Sequence, residues 1–488
     1  MKKVILYILS VFVLAGAPVL RAENIGVPSE CEDVMLQAFY WDSYKTQTST
    51  DSKYGRTRWL DLIADTAAIN ANFDLVWFPP SAKAGGVGYT PKQYSNQDSD
   101  WGTAQKLSQL IAALHAGKTK VIADIVINHR GNLSNWCNFF QDNFGAYGTY
   151  QLTQQHICRN DEGFTDPKSS CYNAATSERG ANDTGSNFDG ARDLDHTSEY
   201  VQEWAKAYVR WIMGEMRYDG FRYDMTLGFH GRYLSMYNEA ANPYMSVSEL
   251  WESIDRQKRH LTEANYNTMV FDFPTKFSLN QAFASDSYGK LNKNKTLNGL
   301  RKEGLEKYAV TFLDNHDTFE RGNAYGDNQF GGEKCDLNSA TIKNKVLQAS
   351  AYLLMMPGVP CVFWPHWVRY KDEINALIAV RKRAGIHSES AVLEESSAQY
   401  QYNATVQGHR GTVIVRVGKN RSTDVPEGYE LAVEGGSNGY YSVFIKMGAE
   451  GLEDVRNQHS DVRKVMRDGK IYVLRGDKTY DVLGNEIK

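Results

Sequence analysis

The 488-residue sequence predicts an α/β fold: a (β/α)8 barrel with an inserted small domain after strand 3 and a C-terminal antiparallel β domain. Three observations predict it. Short apolar runs alternate with helical patterns from about residue 33 to 386. One crossover, after the third run, is far longer than the others, and beyond about residue 390 the pattern changes to alternation of apolar and polar residues.

The strand candidates are Met35–Tyr40, Leu75–Phe78, Val121–Ile127, Gly220–Tyr223, Ser246–Glu249, Met269–Phe273, Ala309–Leu313 and Pro360–Phe363. They are apolar on both faces, as parallel strands buried beneath helices must be. Helix candidates lie between them. Thr57–Ala71 sets Leu60, Ile63, Ala64 and Ala67 at helical spacing, and Ala104–Leu114 is patterned likewise. Thr197–Met216 aligns Tyr200, Val201, Trp204, Tyr208 and Ile212, and Ser339–Met355 and Asp372–Arg383 complete the set. Eight strands over some 350 residues match the TIM-barrel count. A doubly wound open sheet is the structural competitor, but no G-x-G-x-x-G follows the first strand.

The long crossover runs from Asn128 to Asp193, is rich in Asn, Gly, Ser and Asp, and holds three of the six cysteines. A structureless loop of that length is unusual in a compact domain, so residues 129–192 read as a small inserted domain. The barrel then comprises 23–128 and 193–388. Alternating segments at Gln399–Val406, Thr412–Val417, Tyr429–Val433 and Tyr441–Ile445 place an antiparallel β domain at 389–448. Turn signals Asp468-Gly469 and Gly476-Asp477 flank Ile471–Leu474, so 449–488 reads as a hairpin tail.

Lys2 and Lys3 precede an apolar run, Val4 to Leu14, that is too short for a confident membrane span; residues 1–22 read as an export signal. The protein is therefore expected outside the cytoplasm, secreted, periplasmic or at the cell surface, with no membrane insertion after signal removal. With 54 Lys+Arg against 58 Asp+Glu, the chain has no basic footprint for nucleic acid. The six cysteines form no CxxC pair, which argues against a zinc ribbon or redox motif. Cys158 with Cys171 is the first disulfide to test, free buried thiols being the alternative.

Reacting groups of such barrels come from the C-terminal ends of the strands. The third strand carries Asp124 and runs on to Asn128-His129, the fourth ends at Arg222-Tyr223-Asp224, the fifth at Glu249 and the seventh at Asn315-His316-Asp317. Glycoside hydrolysis needs converging carboxylates, one to attack and one, kept protonated, to donate. Each acid alone fits an N-cap or a buried ion pair equally well. Asp224, Glu249 and Asp317 on three strands together favour catalysis. Arg222, two residues before Asp224, shares its face and is expected to hold it ionised. His129 and His316 offer N–H donors to sugar hydroxyls.

In order and spacing, Met35–Asp42 (MLQAFYWD), Trp77–Pro80, Asp124–Arg130 (DIVINHR), Gly220–Asp224 (GFRYD), Glu249, Asn315–Asp317 (NHD) and Pro357–Pro360 (PGVP) resemble the α-amylase family of glycoside hydrolases. Ile157–Asn160 and Asp193–His196 resemble its plant-like subgroup most. The resemblance implies Asp224 as nucleophile, Glu249 as acid/base and Asp317 as the acid that orients hydroxyls. It further implies Arg222, His129 and His316 around the reacting sugar and Tyr89 beneath it. It implies a structural Ca2+ held by Asn128, Asp183 and Asp193 with carbonyls of Ser186 and Gly228, a donor set of hard oxygens; the alternative for Asp183 is a turn residue. The implied activity is endo-hydrolysis of α-1,4-linked glucose polymers by a monomer. Exo-acting or debranching relatives and a non-catalytic starch-binding protein are the alternatives. Three departures stand out: Leu227 where a lysine is frequent, Asn187 where an acid is frequent, and Ser248 for the frequent glycine before the acid/base.

Overall fold

The computed structural model describes residues 24–45, 54–319, 345–435 and 439–448, with the backbone alone of strands within 462–487. The export-signal segment 1–22 and the start of the helix expected from Ser339 lie outside the described residues. Eight parallel strands close into a barrel: β1 (Met35–Gln37), β2 (Leu75–Trp77), β3 (Lys120–Ile125), β4 (Gly220–Tyr223), β5 (Met245–Ser248), β6 (Met269–Phe271), β7 (Ala309–Phe312) and β8 (Val359–Phe363). Each pairs with its neighbours in sequence, and β8 returns to β1. Almost every strand residue is buried, which explains the unbroken apolar runs.

Helices α1 (Trp59–Asn72), α2 (Ala104–Ala116), α3 (Glu199–Gly214), α4 (Gly231–Ala241), α5 (Ile254–Glu263), α6 (Phe273–Ser285), α7 (Val346–Met355) and α8 (Lys371–Ala384) intervene. The predicted face of α1 was rotated: Trp59, Leu62 and Ile69 are buried, whereas Leu60 is 56% exposed. Trp59 decides this, because its large ring packs against Phe78 and Trp101. On α3, Val201, Trp204, Tyr208 and Ile212 are buried as predicted, and Tyr200 lies outside. Helices α4, α5 and α6 have no counterpart among the sequence-predicted helices.

The insertion leaves and rejoins the barrel through a narrow neck, where His129–Arg130 pairs antiparallel with Arg192–Asp193 and Leu194 N–H donates to Asn128 O (2.8 Å). Buried Asp142 anchors its first half, accepting from Arg130 (3.3 Å), Trp204 Nε1 (3.1 Å) and Tyr94 N–H (2.7 Å). A buried carboxylate so paired is costly to unpair. The disulfide joins Cys137 to Cys171, not Cys158 to Cys171. Cys158 is a free, buried thiol beside Asp183, because its backbone is tied to Asp193 O (2.8 Å) in the neck.

The C-terminal sheet has order β9-β10-β11-β13-β12, from β9 (Val392–Ala398), β10 (Gln401–Gln407), β11 (Gly411–Val417), β12 (Glu430–Gly435) and β13 (Tyr441–Met447). Strand β9 was not predicted; its sequence VLEESSA is polar and mostly exposed. In the tail, Val462–Arg467 pairs antiparallel with Lys470–Arg475, a hairpin in a four-stranded sheet. Among the described residues no helix is long and apolar enough to cross a membrane.

Non-reducing peptide mapping is expected to recover Cys137 linked to Cys171, with Cys158 alkylated only after unfolding. Cys137→Ser should lower stability by about 4 kcal/mol in denaturant titration, given the loop length it closes. A crosslinked peptide containing Cys158 contradicts this pairing.

Candidate active site

Parallel register brings the acids together. Asp124 on β3 pairs with Arg222 on β4, and Tyr223 on β4 pairs with Ser248 on β5. Asp224 and Glu249, each the next residue, therefore stand level on adjacent strands. Backbone bonds from Asp224 N–H to Ile125 O (3.0 Å) and from Glu249 N–H to Tyr223 O (2.9 Å) fix that level. Because side chains alternate along a strand, Asp124, Arg222, Asp224 and Glu249 face the same way.

One guanidinium serves all three carboxylates. Arg222 Nη1 lies 2.7 Å from Asp124 Oδ1 and 2.8 Å from Asp224 Oδ1, and its Nη2 lies 2.8 Å from Glu249 Oε2. Met225 N–H also donates to Glu249 Oε2 (3.1 Å). Met225 takes a left-handed φ of 47°, which turns the chain there. Asp124 accepts further bonds from Trp77 Nε1 (3.1 Å) and the Tyr89 hydroxyl (2.8 Å).

Three acids around one cation crowd carboxylates into a largely buried site. Burial, with Glu249 and Asp124 adding repulsion, pushes Asp224 well above the usual carboxylate range against the pull of Arg222. Burial likewise raises Asp124 to about 6. Arg222 was expected to hold Asp224 ionised; divided among three partners, it orients the acid without outweighing burial. Burial thus opposes ionisation of Asp224 and Asp124, and because the two are coupled their titration belongs to the group rather than to one residue.

Asp317 joins from β7's end. The His316 ring receives Gln37 Nε2–H at Nδ1 (3.0 Å), so its proton sits on Nε2, 3.3 Å from Asp317 Oδ2. That ring stacks with Tyr89 (5.1 Å, 9°) and with Trp41 (5.9 Å, 7°). The charges of Asp224 and Asp317 both bear on Tyr89, which ties the two acids to one cleft. Beneath the loop, buried Asp314 faces Lys276 Nζ (3.6 Å) and His366 Nε2 (3.4 Å) and accepts from Thr318 (2.7 Å).

His129 is placed differently from expectation. Its Nε2 lies 2.8 Å from the Tyr89 carbonyl and its Nδ1 faces Asn128, so the N–H offered to a sugar is already engaged. Phe188 stacks on the ring at 4.2 Å, and burial lowers its pKa to about 4, keeping it neutral.

The neck gathers the oxygen-rich residues. Asn128 Nδ2 donates to Asp193 Oδ1 (3.2 Å), and Phe188 N–H to Asp193 Oδ2 (2.7 Å). A Cβ added to Gly228 would sit 1.9 Å from Asn128 Oδ1, so only glycine allows this approach. Ser186 N–H donates to Leu227 O (2.9 Å), bringing 186 beside 228, while Asp183 accepts from Asn160 Nδ2 (2.9 Å). Burial and the neighbouring acids Asp183, Asp161 and Glu162 push Asp193 up to about 9. Asn187 turns to Asp189 (2.7 Å).

The chain matches the family described as alpha amylase, catalytic domain, over residues 70–397. It belongs to the α-amylase family. Among relatives of this family, it is 28% identical to "Probable alpha-amylase 2" of Arabidopsis thaliana over 396 residues, 77% of this chain and 86% of the relative. It is also 28% identical to "Alpha-amylase 3, chloroplastic" of the same plant, matching 83% of this chain but spanning only 43% of that longer protein. A "Glucan 1,4-alpha-maltotetraohydrolase" of Stutzerimonas stutzeri is 25% identical over 79% of this chain and 68% of its own length. The α-amylase of Geobacillus thermoleovorans, solved with acarbose, shares the fold with a TM-score of 0.56 at 16% identity, covering 85% of this chain and 98% of that one.

Within this α-amylase-family site, Ser248 now has a physical role. Its hydroxyl lies 3.1 Å from Thr268 Oγ1 and 3.0 Å from His260 Nε2, joining β5 to α5 behind Glu249. Burial lowers His260 to about 3. Because this folded-state pKa is depressed below the usual 6.5, neutral His260 contributes stability above about pH 6.5, lost as pH falls towards 3. His260→Gln should remove that dependence. Urea unfolding is expected to show the wild-type advantage shrinking by about 2 kcal/mol between about pH 7 and 5; a pH-independent gap contradicts the assignment.

Proposed function

We propose that the chain is an exported, endo-acting α-amylase that hydrolyses internal α-1,4-glucosidic bonds of starch, glycogen or maltodextrins with net retention. The observation that carries this reading is the sharing of one buried guanidinium by Asp224 and Glu249 at adjacent strand ends. Retention requires two carboxyl groups about 5–5.5 Å apart, a separation suited to neighbouring strands.

In the first displacement an Asp224 oxygen attacks the anomeric carbon. The glycosidic C–O bond breaks as Glu249 delivers its proton to the leaving oxygen. In the second, Glu249 takes a proton from water, whose oxygen displaces Asp224 and restores the acid. Arg222 orients both groups, and Asp317, steadied by His316, accepts hydrogen bonds from sugar hydroxyls. The Tyr89 ring, within the aromatic stack, supports the sugar. Kinetics of Asp224→Asn are expected to show activity on soluble starch below about one thousandth of wild type, with fold unchanged by circular dichroism. Higher residual turnover rules out Asp224 as nucleophile.

The neck fits a structural Ca2+. Buried Asp193, surrounded by acids, calls for a cation, and Asn128, Asp183 and the carbonyls of Ser186 and Gly228 are the hard donors that would join it. The ion would neutralise these acids and brace the neck. Chelation is expected to lower the melting temperature of wild type and to leave Asp193→Asn unmoved, since a ligand bound only by the folded state stabilises it. Equal sensitivity of both proteins removes calcium from this place.

The maltotetraohydrolase relatives, together with Leu227 in place of a frequent lysine, favour an exo cut as the second reading. End-blocked maltodextrins separate the two: only an endo enzyme cleaves them from the start. Export rests on the Lys2-Lys3 and apolar Val4–Leu14 pattern, and a monomer is the working state.

A further inference from the structure

At the barrel end opposite the carboxylates, three segments distant in sequence meet. The segment before β1 carries Glu30 and Glu32, the turn after α8 carries His387, and the β10–β11 turn carries His409. Backbone bonds hold them together: Ser388 N–H to Cys31 O (2.8 Å) and His409 N–H to Gly385 O (2.9 Å). One ligand atom each from Glu30, His387 and His409 fall within 4.8 Å of one another.

Both ring nitrogens of His409 face carboxylates, and Arg410 pairs with one of them, Glu32. His409 Nδ1 lies 2.9 Å from Glu32 Oε1 and donates its proton there. Its Nε2 faces Glu30 Oε2, 3.5 Å away. Either a proton or a metal ion on that nitrogen complements the carboxylate. Glu30 is held in place despite a left-handed φ of 44°, its N–H donating to Glu389 Oε2 (2.8 Å). His387, mostly buried, accepts only a long N–H from Glu389 at Nδ1 (3.3 Å), leaving that lone pair weakly engaged.

We propose that Glu30, His387 and His409 form a site for a borderline divalent transition metal of the Zn2+ type. It would staple the N-terminal segment and the barrel to the C-terminal β domain. Imidazole and carboxylate are suitable donors for such an ion, whereas calcium prefers oxygen alone. Glu32 is the outer carboxylate that fixes the His409 tautomer. The two rings now stack 4.2 Å apart and 15° from parallel, so binding requires the half-exposed His409 ring to turn towards His387.

Full-length protein kept in saturating Ca2+ is titrated with Zn2+ at pH 7.5 by competition with a fluorescent zinc chelator, alongside thermal melts. Wild type is expected to bind one equivalent and to melt at higher temperature with Zn2+. The exposed-position variants Glu30→Gln and His409→Gln should lose both effects, and Glu32→Gln should weaken binding about tenfold. Starch hydrolysis should be unchanged in all three without Zn2+. Unaltered zinc affinity in His409→Gln, or wild-type binding only at millimolar Zn2+, overturns the proposal and leaves a protonated His409 between two glutamates.

Discussion

A single guanidinium surrounded by carboxylates organises this protein. Arg222 is almost wholly buried, and its terminal nitrogens reach Asp124, Asp224 and Glu249 from the third, fourth and fifth strands. A buried ion set of this kind contributes less to stability than its short distances suggest, because desolvation opposes the attraction. Its contribution is positional. The cation fixes Asp224 and Glu249 at one level of the barrel.

Other polar residues in the interior do related work at a distance. Asp314 with Lys276, His366 and Thr318 supports the loop that presents Asp317. Ser248 with His260 and Thr268 supports the strand end that presents Glu249. Asp317 and Glu249 are thus each backed by a buried polar network, in which His366 Nε2 and His260 Nδ1 have no hydrogen-bond partner among the described residues.

The barrel was legible because strands buried on both faces must be apolar throughout, and the acids were legible because they punctuate those runs. What escaped had no such signature. Helix α5, IDRQKRHLTE, buries only Gln257, His260 and Leu261, and α6 spreads apolar and polar residues around its circumference. Strand β9 is an exposed edge whose glutamates and serines hide its pairing. The disulfide could not be read from spacing, since Cys158 and Cys171 are closer in sequence but the neck holds Cys158 away. Tyr89 was reached through family resemblance; nothing in its local sequence foretells that its hydroxyl meets Asp124 across the cleft. Asp124 itself was visible at a strand end, yet its place beside Arg222 follows only from barrel register.

The neck of the insertion has a consequence for how the molecule can change. Leu194 N–H bonds to Asn128 O, so the barrel meets more than sixty intervening residues as though they were a tight turn. Closing a loop grows costly only slowly with its length once the ends are pinned. Material between Arg130 and Arg192 that lies away from Asp142, Ser186 and Phe188, which contact the barrel, can thus lengthen or shrink at small cost. The outer part of the insertion can diversify while the strand ends beneath it stay fixed.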